Sequence, residues 1–257
     1  MRGARKGTRL GLLGKKIPKT LVKIHSKPII WYVLNELAKN SFNHFILPLG
    51  YKGHLISKYI KSNKHFNKFD IELIYTGENK KISQRIEQIK KNIKSKNFII
   101  LNGDAIFEIN LKKLYFKHCK KNLDITFLGC SAPLSYGVVG KKNNKIVSFE
   151  REIEFDSINS ISRKNFSGHV FSGISIIKTE RLLKNFSYKT DFEREFYPKI
   201  IKKFKSNFFK IKTFWASVDN QKDIDILNKK SQDKFKKVRN IKKNLSNLKK
   251  NFKFFKK

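Results

Sequence analysis

The sequence has little cysteine and no long apolar run, and each absence excludes a class of protein. Cys119 and Cys130 are the only cysteines among 257 residues, so a disulfide framework is excluded and a cysteine-ligated metal cluster is not expected. No apolar run approaches the roughly 20 residues that a membrane-spanning helix needs. No secretory leader is recognisable near Met1. We therefore expect a cytoplasmic protein.

Acidic residues are scarce: 20 Asp and Glu face 58 Lys and Arg, which gives a net charge of +38. One interpretation is a protein that binds nucleic acid or an anionic membrane. However, the excess is mostly lysine, accompanied by much Asn, Ile and Phe along the whole chain, whereas specific phosphate and base contacts usually use arginine. A bias in amino-acid composition is thus favoured over nucleic-acid binding as the explanation of the high net charge. The charge still attracts small polyanionic substrates.

Apolar periodicity alternates between helix and strand through the first half of the chain. Helices are predicted at 27–39, 53–61 and 82–93, and strands at 45–49, 71–75 and 98–101. Single helices between strands imply right-handed crossovers, so we predict an α/β, Rossmann-like, mainly parallel sheet flanked by helices. Ligands of such sheets bind at the carboxyl ends of the strands.

After Asp124 the pattern predicts more strands with shorter links, which indicates a mixed or antiparallel extension. Strands are predicted at 125–130, 138–140, 145–149, 171–177 and 208–215, and helices at 191–204 and 221–228. Residues 1–228 would form the catalytic domain. Residues 229–257 hold thirteen Lys or Arg against the single Asp233 and predict a basic amphipathic helix. That tail either packs on the domain or contacts a membrane surface or partner.

A triphosphate site is indicated near the amino terminus. Gly7-Thr8-Arg9-Leu10 offers a glycine turn whose backbone N–H groups can approach phosphates. Arg9, with Lys19 of Pro18-Lys19-Thr20, supplies the positive charge that a developing pyrophosphate needs. Taken alone, the tetrapeptide is equally compatible with an ordinary polar turn.

A magnesium site is indicated by two aspartates. Asn102-Gly103-Asp104 directly follows the strand at 98–101, where a carboxylate can hold Mg²⁺ against triphosphate oxygens. Asp219, just after Phe214-Trp215, is similar to the second metal-binding aspartate of the sugar-1-phosphate nucleotidyltransferases, which follows a Phe-Trp pair in the cytidylyltransferases, and this resemblance implies that it is the partner carboxylate. Either aspartate alone could instead cap a turn.

In register, these motifs resemble the start and core of the sugar-1-phosphate nucleotidyltransferases. Gly50-Tyr51-Lys52-Gly53, Thr76-Gly77 and Arg85-Ile86 look most like the glucose-1-phosphate cytidylyltransferases. The resemblance covers roughly residues 3–228 and implies a nucleotide-diphospho-sugar transferase fold. It also implies nucleotide contacts from Gly7, Thr8, Arg85 and Gly103, sugar contacts from Gly137 and Glu150, and catalytic roles for Arg9 and Lys19.

The activity implied by the resemblance is transfer of a nucleotidyl group from CTP to glucose 1-phosphate. The sugar phosphate oxygen attacks the α-phosphorus while pyrophosphate leaves, with Arg9 and Lys19 stabilising the leaving charge and Asp104 and Asp219 holding Mg²⁺. Such chemistry needs no covalent nucleophile. The sequence leaves the oligomeric state open, a homo-oligomer included.

The chain departs from the family pattern in places. Ala4-Arg5 stand where the family loop begins with glycines, Ser83-Gln84 replace a Gly-Gly pair, and only Met1-Arg2 precede Gly3, where the family has an apolar strand. One hypothesis is an active enzyme whose reading frame begins upstream of Met1. A second is a non-catalytic relative that binds nucleotide or sugar phosphate. A third is a basic protein of nucleic acid or membrane surfaces.

Overall fold

The computed structural model describes residues 10–133, 138–142, 145–150, 154–155, 158–159 and 167–229. The α-helices are α1 (Gly11–Lys16), α2 (Ile29–Lys39), α3 (Gly53–Ser62), α4 (Ile82–Ile89), α5 (Leu111–Lys120), α6 (Thr179–Asn185), α7 (Tyr197–Lys203) and α8 (Gln221–Lys229). The strands are β1 (Lys23–Ile24), β2 (Lys27–Pro28), β3 (His44–Leu49), β4 (Asp70–Tyr75), β5 (Asn97–Leu101), β6 (Ala105–Phe107), β7 (Ile125–Cys130), β8 (Ala132–Pro133), β9 (Val138–Lys142), β10 (Lys145–Glu150), β11 (Glu154–Phe155), β12 (Ile158–Asn159), β13 (Ser167–Gly168), β14 (Val170–Lys178), β15 (Ser206–Lys210) and β16 (Trp215–Ser217). Helices and strands alternate through the first half of the chain, as predicted.

The strands form a mixed arrangement around one long central strand. β14 pairs antiparallel with β5 on one side and with β7 on the other, and β15 adds parallel to β7. β3 and β4 form a separate parallel pair, and β6 and β16 an antiparallel one. The antiparallel strand β14 therefore lies inside the main sheet, between β5 and β7.

The predicted helices form where apolar residues recur at helical spacing, and their ends follow from local chemistry. α2 begins immediately after Pro28, whose fixed φ suits a helix start, and buries Ile29, Ile30, Val33 and Leu34. The region 191–204 is not one regular helix, because a π-helical turn at Phe192–Phe196 precedes α7. The predicted strand 208–215 divides into β15 and β16, which pair with different neighbours.

Two apolar clusters form the described core. The larger contains α2, β3 and β6 together with Val218 and α8. The smaller packs α4, β7, β14 and the aromatic residues Phe192, Phe196 and Tyr197. The polar residue His118 of α5 is fully buried, with its ring nitrogens 2.8 Å from Thr126 Oγ1 and 3.3 Å from Asn97 Oδ1. Burial lowers the pKa of His118 to about 4.

A cavity of about 310 Å³ separates β3 from β5. Within the described ranges no strand bridges these two, so each has one edge without a described β partner. Protein interiors rarely leave voids larger than a water molecule, which makes this gap an unusual feature of the fold.

No helix among the described residues is long and apolar enough to cross a membrane. The predicted basic tail lies outside the described residues beyond Lys229, so its helix and its contacts stay predictions, as does the domain boundary at 228.

Candidate active site

Lys19 joins the two aspartates that the sequence predicted as metal ligands. Its Nζ lies 3.0 Å from Asp104 Oδ2 and 2.6 Å from Asp219 Oδ1. The Lys19 side chain is 13% exposed, against 32% and 43% for the two aspartates. The Lys19 side chain is therefore less exposed than the two carboxylates that it bonds.

Asp104 is positioned by the turn between β5 and β6. Asn102 N donates to Gly173 O of β14 at 3.0 Å, and Val218 N donates to Asp104 O at 2.9 Å. Ser217, the last residue of β16, lies opposite Ala105, the first residue of β6, so Asp104 before β6 and the residues that follow β16 are brought side by side. Gly103 is buried in the turn itself. The backbone ladder thus places the two aspartates next to each other.

Asp219 is positioned by the start of α8. The carboxylate of Asp223 accepts from Asp219 N at 2.7 Å and from Asn220 N at 3.0 Å, and Asp223 N donates to Asn220 Oδ1 at 3.1 Å. These bonds satisfy the N–H groups that a helix start leaves unpaired. Asp219 is consequently held on a rigid turn.

The donor set suits a hard cation. Mg²⁺ usually takes one or two carboxylates and completes its shell with water and substrate phosphates. Asp104 and Asp219 are carboxylates with oxygens converging on a single Lys19 Nζ atom, so two oxygens already face one point. Among the described residues no group of three or more His, Cys, Asp or Glu residues that could hold a metal ion occurs.

Arg85, predicted to bind nucleotide, is 4% exposed and contacts protein groups on several sides. Its Nη1 donates to Leu49 O at 3.2 Å and to Thr76 Oγ1 at 2.6 Å. Nη2 donates to Glu78 O at 3.1 Å and Nε to Lys80 O at 3.0 Å. Arg85 therefore joins the loops that follow β3 and β4. Its contact with nucleotide stays a prediction.

Gly50 packs closely against Arg85, because a Cβ at this position would lie 2.3 Å from Arg85 Nη2 and would displace the guanidinium group. The next two residues then reach the carboxyl end of α1. Tyr51 Oη donates to Lys15 O at 3.2 Å, and Lys52 Nζ donates to the same oxygen at 2.5 Å. The loop after β3 is thus bonded to the segment that leads from the predicted phosphate loop to Lys19.

Several predicted residues cannot be placed in this arrangement. Gly7, Thr8, Arg9 and Gly137 lie outside the described residues. Glu150 ends β10, opposite Val138 in β9. Their predicted roles in phosphate and sugar binding stay predictions.

Two residues that help to build the site were missed from the sequence. Gly173 has a φ of +79°, and a Cβ there would lie 2.4 Å from Asn102 Nδ2, so only glycine fits beside the Asn102 turn. A glycine within a predicted strand is the signal that could have indicated this close approach. Asp223 could have been found from its place in the first turn of α8.

The family model and the relatives that match this chain are all nucleotidyltransferases. The family model for nucleotidyl transferases matches residues 3–224. D-glycero-alpha-D-manno-heptose 1-phosphate guanylyltransferase of Aneurinibacillus thermoaerophilus is 27% identical over 75% of this chain and 82% of its own length. The probable glucose-1-phosphate cytidylyltransferase of Bacillus subtilis is 26% identical over 87% of this chain and 92% of its own.

Solved structures share the fold. The crystal structure of HddC from Yersinia pseudotuberculosis, complexed with GMP-PN, has a TM-score of 0.63 at 22% identity and covers 90% of this chain and 95% of its own. A putative glucose-1-phosphate thymidylyltransferase from Bacillus anthracis has the same TM-score at 15% identity, over 87% and 90%. The predicted α/β fold of the nucleotide-diphospho-sugar transferase type is confirmed.

Proposed function

Because the chain belongs to the nucleotidyl transferase family, we propose that it transfers a cytidylyl group from CTP to glucose 1-phosphate and releases pyrophosphate. The coarser activity, nucleotidyl transfer to a sugar 1-phosphate, is common to the relatives. The observation that carries the proposal is the cluster of Lys19, Asp104 and Asp219 at the carboxyl edge of the strands.

Cytidine is proposed over guanosine on two grounds. The motifs around Gly50, Thr76 and Arg85 resemble those of cytidylyltransferases, and the Bacillus subtilis relative aligns over a larger share of this chain than the guanylyltransferase does. The guanylyltransferase supplies the competing substrates, GTP and a heptose 1-phosphate.

Each residue then has a task in an in-line displacement. An ammonium group has three donors, and Lys19 gives two to carboxylates, which leaves a hydrogen to give to a phosphate oxygen. Lys19 and Arg9 would neutralise charge as pyrophosphate departs. Asp104 and Asp219 would hold Mg²⁺, whose charge offsets that of the phosphate oxygens when it is bound. Gly7 and Thr8 would present backbone N–H groups to the triphosphate, and Gly137 and Glu150 would contact the sugar.

The finer biological setting is part of the same proposal. We place the enzyme in the cytoplasm, supplying nucleotide sugars for polysaccharide biosynthesis, which agrees with the content of only two cysteines.

The test is pyrophosphate release by the full chain with Mg²⁺. CTP, GTP, UTP, dTTP and ATP are each paired with glucose, mannose and D-glycero-alpha-D-manno-heptose 1-phosphates. The proposal expects the highest kcat/KM for CTP with glucose 1-phosphate, and loss of turnover in Asp104→Asn. A tenfold higher kcat/KM for GTP would overturn the choice of base. Absence of turnover with every pair would overturn catalysis.

A further inference from the structure

Lys19 stands where the two carboxylates of the proposed metal site converge. Its Nζ atom bonds Asp104 Oδ2 at 3.0 Å and Asp219 Oδ1 at 2.6 Å. Mg²⁺ binds oxygen ligands at about 2.0–2.1 Å, so an ion held by both of these oxygens takes the position that the ammonium group holds. We propose that Lys19 is a resident counter-ion that closes the site to a free divalent ion, and that a triphosphate opens the site by offering the ammonium group new partners.

The Lys19 backbone is fixed, so only the side chain can leave the carboxylates. Lys19 begins a 3-10 turn at Lys19–Leu21, and its carbonyl oxygen accepts from Val22 N at 3.1 Å. Thr20 and Val22 are 5% and 1% exposed, which anchors the turn in the protein interior. The Lys19 side chain itself is 13% exposed. An ammonium group that loses its partners there without regaining full hydration raises the free energy of the folded protein.

Asp223, the acidic residue nearest to Asp219 in the sequence, does not offer a spare carboxylate to a displaced ammonium group. Its Oδ2 atom already accepts from Asp219 N at 2.7 Å and from Asn220 N at 3.0 Å. These bonds satisfy N–H groups at the start of α8, and their loss would release Asp219 from its turn. A free divalent ion would thus bind the two carboxylates only by separating the ammonium group from both of them.

A triphosphate changes this balance, and it enters from the proposed function, on which this part of the proposal rests. Phosphate oxygens accept charge-assisted hydrogen bonds from an ammonium group and are also ligands of Mg²⁺. They therefore replace the carboxylates as partners of Lys19 while they complete the shell of the ion held by Asp104 and Asp219. Metal and triphosphate then raise each other's affinity, because coupling between two ligands is reciprocal. The site accepts the ion together with the triphosphate and not before it.

The first experiment measures the binding of Mn²⁺ alone by electron paramagnetic resonance, since carboxylates suit Mn²⁺ as they suit Mg²⁺. Lys19→Met removes the ammonium group and should bind Mn²⁺ about thirtyfold more tightly than the original chain, which lies within the usual range of coupling between two ligands. Lys19→Arg keeps the charge and should still exclude Mn²⁺. Lys23→Met removes one charge from the exposed end of β1 and controls for net charge. Addition of Asp104→Asn to Lys19→Met should abolish the tight binding.

The second experiment uses inorganic tripolyphosphate loaded with Mn²⁺, which has the triphosphate of every nucleotide and no base. Calorimetry is carried out in high salt, which screens the exposed lysines. Lys19→Met should bind this complex about tenfold more weakly than the original chain, although it binds the free ion more tightly. A purely structural role of Lys19 would instead weaken both. No transfer is measured, so the choice of CTP and glucose 1-phosphate can fail without affecting this result.

Three results would overturn the proposal. Equal Mn²⁺ affinity of the original chain and Lys19→Met would show that the ion binds without displacing the ammonium group. Weaker binding of both the free ion and its tripolyphosphate complex by Lys19→Met would assign Lys19 a structural role alone. Tight Mn²⁺ binding by Lys19→Arg would show that the charge does not exclude the ion.

Should Lys19→Met fail to fold by circular dichroism, Lys19→Gln replaces it, and thermal unfolding of the original chain gives an independent answer. Free Mn²⁺ should leave the melting temperature of the original chain unchanged, whereas Mn²⁺ with tripolyphosphate should raise it. A rise with free Mn²⁺ that Asp104→Asn lacks would contradict the proposal.

Discussion

Replacement of Lys19 by methionine tests the electrostatics of the active-site cluster. The substitution keeps most of the unbranched apolar stem of the side chain but removes the charge that lies 3.0 Å from Asp104 and 2.6 Å from Asp219. Two carboxylates that share one counter-charge are then left facing each other without it. Lys19→Met should therefore destabilise the folded protein when divalent ions are absent.

The size of the effect follows from exposure. Removing one partner of a fully buried ion pair costs about 3–5 kcal/mol, and an exposed pair contributes about 0–1 kcal/mol. Lys19 is 13% exposed and the aspartates 32% and 43%, so after the discount for solvent screening the loss should be roughly 2 kcal/mol. Mg²⁺ at about 10 mM, acting on a site with a dissociation constant of about 1 mM, should restore about 1.4 kcal/mol.

The assay is urea unfolding of both proteins in EDTA and in Mg²⁺, with Lys23→Met as the control. Lys23 is exposed in β1, and its replacement should change the free energy of unfolding by less than about 0.5 kcal/mol in either buffer. In turnover assays Lys19→Met should lower kcat/KM by about 100-fold or more. The reasoning is refuted if Lys19→Met equals the original chain in EDTA and gains nothing from Mg²⁺.

Three further substitutions test neighbouring features. Gly50→Ala puts a Cβ 2.3 Å from Arg85 Nη2 and should lower the free energy of unfolding by about 1–3 kcal/mol, measured in urea; a neutral result would mean that the Arg85 guanidinium moves freely. Asp223→Ala removes the acceptor of Asp219 N and should reduce kcat while the protein stays folded by circular dichroism; unchanged kcat would show that Asp219 needs no such support. His118 has a pKa lowered by burial to about 4, so below pH 6.5 the unfolded chain binds a proton that the folded chain does not, and stability falls as pH drops. His118→Gln should lack the part of this fall that His118 causes, which is on the order of 3 kcal/mol between about pH 6.5 and 4. Urea titrations across that pH range measure the difference. Parallel pH profiles for the two proteins would contradict the prediction.

The strands were the most predictable part of the fold. β3, β5 and β7 are buried in the sheets and read as continuous apolar runs, and their bounds differ from the predictions by at most one residue. α5 was missed: only Leu111 and His118 of its ten residues are buried, although Asn110 caps its start by accepting from Lys113 N at 3.0 Å. Helix position there depends on tertiary contacts that a local pattern does not contain.

The residues that form the site were easier to predict than the contacts between them. Asp104, Asp219 and Lys19 were named from motifs, and the structure brings them together. Their direct bonding was not foreseen, because spacing alone does not say which charges face each other across separate strands. The burial of Arg85 was not foreseen for the same reason, because the sequence around an arginine does not say whether its side chain points to a ligand or to backbone carbonyl groups.

The separation of Lys19 from Asp219 affects how the enzyme is made. The two residues stand 200 positions apart, and β16 and α8 are the last described elements. Synthesis proceeds from the amino terminus at about 5–20 residues per second, so a nascent chain carries Lys19 and Asp104 well before Asp219 leaves the ribosome. The cluster can close only after nearly all of the described chain has been released. Competence to bind its substrates is thus acquired only after synthesis has passed Asp219.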